Sequence, residues 1–277
     1  MGVRSAFREL FRRERPQRRR SYAGARVSRL TADWVTSGTS ADSEIKSSIK
    51  MLRNRARQLC RDNDYAKQAL RSITNNVIGH GIYHQSQVRM QRGGRMDEAV
   101  NARIHQAWKR WSHKSRCDVS GLLSFYDMER LLCRSLAESG EVFIRIIRRP
   151  FGDSGIPFAL QVLESDYLID DDVQASKDGK TVRMGIERDE YLRPIAYNFY
   201  ANHPGDVYAG NVRTTRRIRV DADEVIHLFI PERPSQTRGV TWFASALQRL
   251  HMLDGYENAE LVRARASSAL MGFITSP

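Results

Sequence analysis

The chain has 277 residues, 41% of them hydrophobic, which is enough to bury a core and too apolar for a disordered protein. It holds no run of eighteen apolar residues, and its basic N-terminus is followed by no apolar stretch, so neither a membrane span nor a secretory signal is expected. The formal charge is +13, from 38 arginines and 7 lysines against 32 carboxylates, which fits either a polyanionic partner or the codon bias of a GC-rich genome.

Residues 1–33 read as a disordered, arginine-rich tail, since ten arginines against Glu9 and Glu14 fall within the first thirty positions. Arg12, Arg13, Arg15, Arg18, Arg19 and Arg20 are its candidate nucleic-acid contacts. An α+β domain is expected over 34–240. Ile45, Ile49, Leu52, Ala56 and Leu59 step by three or four, predicting a helix capped by Ser40 or Asp42, with Arg53, Arg55, Arg57 and Arg61 mainly off its apolar stripe. A second helix carries Tyr65, Ala69, Leu70, Ile73 and Val77 to a stop at Gly79. Residues 82–90 read as extended, and Gly93 and Gly94 as a turn. Helices over about 97–111 and 124–139 follow, the second ended by Gly140. The pattern then becomes β-rich, with strands expected at 142–147, 158–163, 182–188, 194–200 and 218–228. From Thr241 to the end, Phe243, Leu247, Leu250, Leu253, Tyr256, Leu261, Ala264 and Met271 mark one long amphipathic helix over 241–277. Such a rod needs neighbours, from sequence beyond this chain or from identical subunits, which suggests a fragment of a larger assembly protein. Helices, then antiparallel sheet, then a long helix make an α+β pattern rather than the βαβ alternation of a nucleotide fold.

Chemistry is sparse. GlnArgGlyGlyArg at 91–95 lacks the phosphate-loop spacing, no GxSxG elbow is present, and Cys60, Cys117 and Cys133 form no CxxC pair and read as free thiols. His80 and His84 are four apart, but glycines 79 and 81 oppose the helix that would align them for a metal. Glu164, Asp166, Asp170, Asp171 and Asp172 form the best acidic cluster, and a metal-dependent nuclease or recombinase centred on Glu164 and Asp166 is the alternative reading. A solvated turn explains the AspAspAsp run better. Trp108 and Trp111 beside Lys109, Arg110 and Lys114 read as a core face with a basic flank rather than a stacking platform.

Segment by segment, the chain resembles the lambda-type portal proteins of tailed phages. RARQLCRDNDYAKQALRSITNNVIGHGI at 55–82 matches the family's paired N-terminal helices, and CysAsp at 117–118, GEVFIR at 140–145, QVLESDYL at 161–168, GIERDEYLRPIAYNF at 185–199, EVIHLF, RPSQTRGVTW and LDGYENAELVRARASSALMGFI follow in family order. The resemblance implies a ring, typically a dodecamer, at one vertex of the procapsid. Such a ring passes double-stranded DNA during packaging and ejection, and docks terminase, capsid or scaffold and head-completion proteins. It also implies a location in the virion, with assembly in the host bacterial cytoplasm, no membrane partner, and neither catalytic residue, metal nor cofactor. The α+β domain corresponds to a wing and the long helix to the start of a stem. Family members continue beyond such a helix, so this chain is expected to be truncated.

Overall fold

The computed structural model of the chain describes residues 22, 25–34, 36, 38–177, 180–206 and 216–269. Two compact units are present, Met1–Thr39 and Ser40–Pro277. In the first, the described stretch 25–34 is a run of turns, held locally by Thr31, whose hydroxyl donates to the Arg26 carbonyl at 2.8 Å. The tail arginines 12–20 lie outside the described residues, as do Met271 and everything after it.

The second unit opens with α1 (Ala41–Asp62), capped by Ser40, whose hydroxyl accepts from the Ser43 amide. Asn63 ends α1 and at once caps α2 (Asp64–Val77), its side chain accepting from the Ala66 amide at 3.0 Å. One polar residue thus makes the corner between two helices. Only Ala66 and Leu70 of α2 are buried. Tyr65, Ala69 and Val77, expected on its apolar stripe, are exposed, because the helix rests on its neighbours along a narrow strip.

Residues 82–89 run extended, turn at 90–93 and return through a bridge between Arg89 and Met96 to α3 (Glu98–Trp111), capped by Asp97. The loop after α3 is organised by Asp118, whose carboxylate accepts from the amides of Ser120, Leu122 and Leu123 at 3.0 to 3.1 Å. α4 (Phe125–Ser139) starts with a reciprocal capping box between Ser124 and Asp127 and ends at Gly140 in the left-handed conformation, φ +88°. Trp111, Met128, Ile144 and Leu160 close one core around α3 and α4, with Trp108 packed on Phe125 at 4.9 Å between ring centres. The two tryptophans are therefore core residues.

The strands are antiparallel throughout but divide between two sheets. β1 (Glu141–Ile147) is central in a three-stranded sheet, between β2 (Ala159–Leu163) and β8 (Val225–Phe229). β3 (Gln174–Lys177), β4 (Lys180–Arg183), β5 (Ile186–Arg188), β6 (Pro194–Tyr200) and β7 (Arg217–Asp221) form the second sheet in sequence order. Two expected strands are broken in the structure. The stretch 182–188 turns at Met184 and Gly185 to separate β4 from β5. The stretch 218–228 is β7, a single 3-10 turn at Ala222–Glu224, and β8, so its halves serve different sheets. Phe143, Leu168, Ile186, Tyr197, Phe199 and Val220 fill the space between the sheets.

α5 (Leu247–Ala269) begins later than expected, since Thr241 to Ala246 forms turns. Phe243 and Leu247 bury themselves beside Ala56, Cys60, Leu70 and Ala137, where α1, α2 and α4 meet. Beyond that first turn the expected stripe is not buried: Tyr256 is 63% exposed and Leu261 58% exposed. No helix among the described residues is long and apolar enough to cross a membrane.

Candidate functional site

Glu141, the first residue of β1, is the centre of the molecule's polar interior. Its side chain is fully buried, and its carboxylate accepts from Arg238 through Nη2 at 2.5 Å and Nε at 2.9 Å, from Arg53 Nη2 at 3.4 Å, and from the Gly239 amide at 3.0 Å. His227 Nε2 lies 3.0 Å from its other oxygen. Arg238 reaches on to Asp170 at 2.7 Å and to the Met184 carbonyl at 3.0 Å, while Arg53 contacts Asp166 at 3.2 Å. Arg57 pairs with Asp166 as well and donates to the Ser139 hydroxyl at 3.2 Å.

Three guanidiniums thus face three carboxylates, and that balance makes the burial tolerable. Burial acts to raise the Glu141 pKa, but Arg238, then His227, outweigh it and hold the carboxyl well below the ordinary carboxylate range. Asp166 behaves likewise: burial opposes ionisation, and Arg53 and Arg57 prevail. His227 moves the other way. Burial, with its ring stacked 4.4 Å from both Phe143 and Phe229, lowers its pKa despite the adjacent carboxylate. A neutral His227 donating Nε2–H keeps the cluster balanced.

The residues after β8 form a clamp around this hub. Gln236 turns the chain by accepting from the Glu232 and Arg233 amides and donating to the Arg238 carbonyl. The Thr237 amide and hydroxyl both donate to Asp42 at the start of α1. Arg238 enters the hub, Gly239 passes against Gly140, and the Thr241 hydroxyl and Trp242 amide donate to the Ala137 carbonyl of α4. A Cβ on Gly239 would overlap the Gly140 carbonyl oxygen, and one on Gly140 would overlap the Val240 backbone. The crossing therefore requires both glycines.

Sequence patterns misplace three parts of this site. Arg53 was expected off the apolar stripe of α1 and is instead 1% exposed, because the hub supplies carboxylates from distant segments. The AspAspAsp run was expected to be a solvated loop. In fact Asp170 pairs with Arg238, and buried Asp172 accepts from Asn198 at 3.0 Å and pairs with Arg217 at 3.3 Å. Glu141, His227 and Arg238 were not singled out as site residues, and a charged residue opening an apolar strand, as in GEVFIR, was the available signal.

Glu164, Asp166 and His203 lie close enough to share a metal ion. The donor set fits a dication poorly, since Arg57 contacts Glu164 and Asp166, and Arg53 also contacts Asp166. Two guanidiniums inside the shell of ligands oppose a second positive charge. The nuclease or recombinase reading loses its centre here. Beside this group, α4, the 118–123 loop and β2 enclose a cleft of about 740 Å³ in which burial pushes the Glu138 carboxyl up.

Comparison with known proteins meets this geometry at its signature segments. The family described as phage portal protein, lambda family, matches residues 27–277. The chain belongs to that family. A probable portal protein of Halomonas phage phiHAP-1 is 37% identical over 264 residues, covering 94% of this chain and 50% of that protein. Portal protein B of Escherichia phage lambda is 22% identical over 237 residues, covering 83% and 44%. The chain thus spans about half the length of the curated relatives it matches. Among solved structures, a chain from the neck of an empty GTA particle aligns at 13% identity and a TM-score of 0.42 over 79% of this chain and 48% of its own. A chain from the virion of a native gene transfer agent particle aligns at 11% identity and 0.37, over 86% and 47%. In this chain the GEVFIR, LESDYL, EVIHLF and QTRG segments meet at Glu141, where Ser165 donates to its backbone carbonyl and His227, Arg238 and Gly239 contact its carboxylate, while RARQLCRDND joins at the edge of the cluster through the Arg57–Asp166 pair.

Proposed function

We propose that this chain supplies the wing and the first stem helix of a portal, a closed ring of identical subunits through which double-stranded DNA enters and leaves a phage or prophage-derived particle. The observation that carries this reading is α5. It is anchored at one end by the clamp and by Leu247, and it then presents Met252, Leu253, Tyr256, Leu261 and Val262 to solvent over about three turns. These side chains are spread around most of the helix circumference, and a helix held by a rigid base with apolar side chains uncovered on several sides suits contact with neighbours. Different patches meeting head to tail generate a ring when the rotation closes. In this reading the ring has twelve members and sits at one capsid vertex after assembly in the host bacterial cytoplasm. Terminase, capsid or scaffold and head-completion proteins dock on it. The chain performs no catalysis of its own, packaging ATP hydrolysis belonging to terminase. The 1–33 tail adds a non-specific DNA contact through Arg12 to Arg20, and residues 34–240 and 241–277 are the wing and the stem segment. Negative-stain imaging of the purified protein tests the reading: rings with a central hole are expected, and compact monomers at every concentration would contradict it.

A further inference from the structure

The positive charge of the folded unit is not spread evenly. Between Tyr65 and Cys117 stand ten basic residues and only two carboxylates, Asp97 and Glu98. Both acids are committed to the first turn of α3, where Asp97 caps the helix. That stretch alone carries as large an excess as the first thirty residues, so the rest of the chain is slightly acidic.

The structure sets these cations on two neighbouring elements, the 88–97 ribbon and the solvent-exposed positions of α3 that follows it. Residues 88–97 form a two-stranded ribbon joined by the Arg89–Met96 bridge and by the Met90 amide donating to the Arg95 carbonyl at 3.1 Å. Asn101 of α3 fixes the ribbon from below: its Oδ1 accepts from the Val88 amide at 2.8 Å and its Nδ2 donates to the Val88 carbonyl at 3.0 Å. Arg89, Arg92 and Arg95 recur every third residue around the Gly93–Gly94 tip and are exposed. Along α3 and just after it, Arg103, Lys109, Arg110 and Lys114 are exposed too. None of these seven forms an ion pair with a described carboxylate, whereas Arg53, Arg57, Arg116, Arg148, Arg217, Arg219 and Arg238 all do.

We infer that the 88–97 ribbon and the exposed face of α3 form a docking surface for the phosphate backbone of double-stranded nucleic acid, separate from the tail arginines. A two-stranded hairpin fits the width of a duplex major groove, about 12 Å, and long arginine side chains on it can reach the flanking phosphates. Arginine forks supply charge-assisted hydrogen bonds to those phosphates without reading sequence. The competing occupant is an acidic protein segment with an apolar face, because Tyr83 and Met90 are exposed beside the cations. The density of cations without intervening carboxylates favours the phosphate polymer. The inference deepens the portal reading by placing a second grip on DNA in the folded body. It is measured on the purified chain in any assembly state, so failure of ring formation and failure of this surface are separately visible.

The test is a fluorescence-anisotropy titration of the full chain with a mixed-sequence duplex of about 20 base pairs over a salt series, since each lost phosphate contact lowers the slope of log K against log salt by about 0.9. R89Q/R92Q/R95Q is expected to reduce the slope by about 2 to 3 and to weaken binding at least tenfold at low salt. R103Q/K109Q/R110Q is expected to do the same from the helical side. K46Q/K50Q/R55Q removes equal charge from exposed positions of α1 and is expected to leave the slope nearly unchanged. Equal losses in all three variants would overturn the inference, as would unchanged slopes in the first two. Polyglutamate displacing the duplex at matched charge would assign the surface to an acidic protein instead.

Discussion

Glu141 shows how much can rest on one side chain in a body of this size. It is the common acceptor for two buried arginines, a histidine and a backbone amide drawn from three segments, so its removal leaves Arg53 and Arg238 without their shared counter-charge. Glu141→Ala is expected to destabilise the folded unit by about 3–5 kcal/mol, read as a lower urea midpoint at unchanged slope. An unshifted midpoint would remove the hub from the account. The same residues set a pH dependence. Glu141 and Asp166 have folded pKa values below their unfolded ones, so their contribution is present above about pH 4 and is lost as pH falls further. His227 is also depressed, which for a base means that the unfolded chain takes up the proton first and stability begins to fall below about pH 6.5. Stability should therefore decline in two stages on acidification. In His227→Gln the stage near pH 6 should vanish while the carboxylate stage remains, and a single acid transition shared by both proteins would contradict the assignment. Apart from the charged residue that opens the apolar strand in GEVFIR, this was not legible from local pattern. The stripe of α1 assigns Arg53 to solvent because periodicity counts only neighbours on the same helix, and its partners lie 88 and 113 positions away.

At the scale of elements, the RPSQTRGVTW segment is the part of the sequence whose meaning the structure changes most. As a string it is a turn-rich linker before a helix; in the fold it is a clamp joining the start of α1, the end of α4 and the start of β1. Its tightest point is the Gly140–Gly239 crossing. Gly239→Ala would push a methyl group against the Gly140 carbonyl, and overpacking of this kind costs about 1–3 kcal/mol, a loss visible in thermal unfolding. Wild-type melting in that variant would mean the crossing is looser than its geometry. The helices and most strands were readable because caps and turns carry strong local chemistry: Ser40, Asn63, Asp97, Ser124 and Gly140 all sit at the helix ends that the periodicity suggests. Two failures have one cause. The alternation over 218–228 hides the corner at Ala222–Glu224, and the stripe of α5 hides its exposure, because periodicity reports which face is apolar and not whether anything covers it.

For the whole molecule, a net charge of +13 conceals two basic regions and a slightly acidic remainder. Under the portal reading proposed above, weak phosphate contact along the DNA path limits friction. Outside those two regions carboxylates slightly outnumber cations, and exposed arginines such as Arg148, Arg217 and Arg219 stand beside acidic partners. The order of family segments was legible from the sequence because each is a short packing or capping device. That EVIHLF and QTRG meet the GEVFIR strand at one buried carboxylate was not, because it depends on contacts between segments far apart in the chain. The central claim is that the body and its clamp fold as one base from which α5 reaches a neighbouring subunit. Its most direct test compares wild type with L253E/Y256E by negative-stain imaging and thermal unfolding. The account predicts closed rings for wild type, dispersed subunits for the variant, and body stability matched to within about 0.5 kcal/mol, as expected for exposed positions. Rings that persist in the variant, or a wild-type protein that forms none, would contradict it.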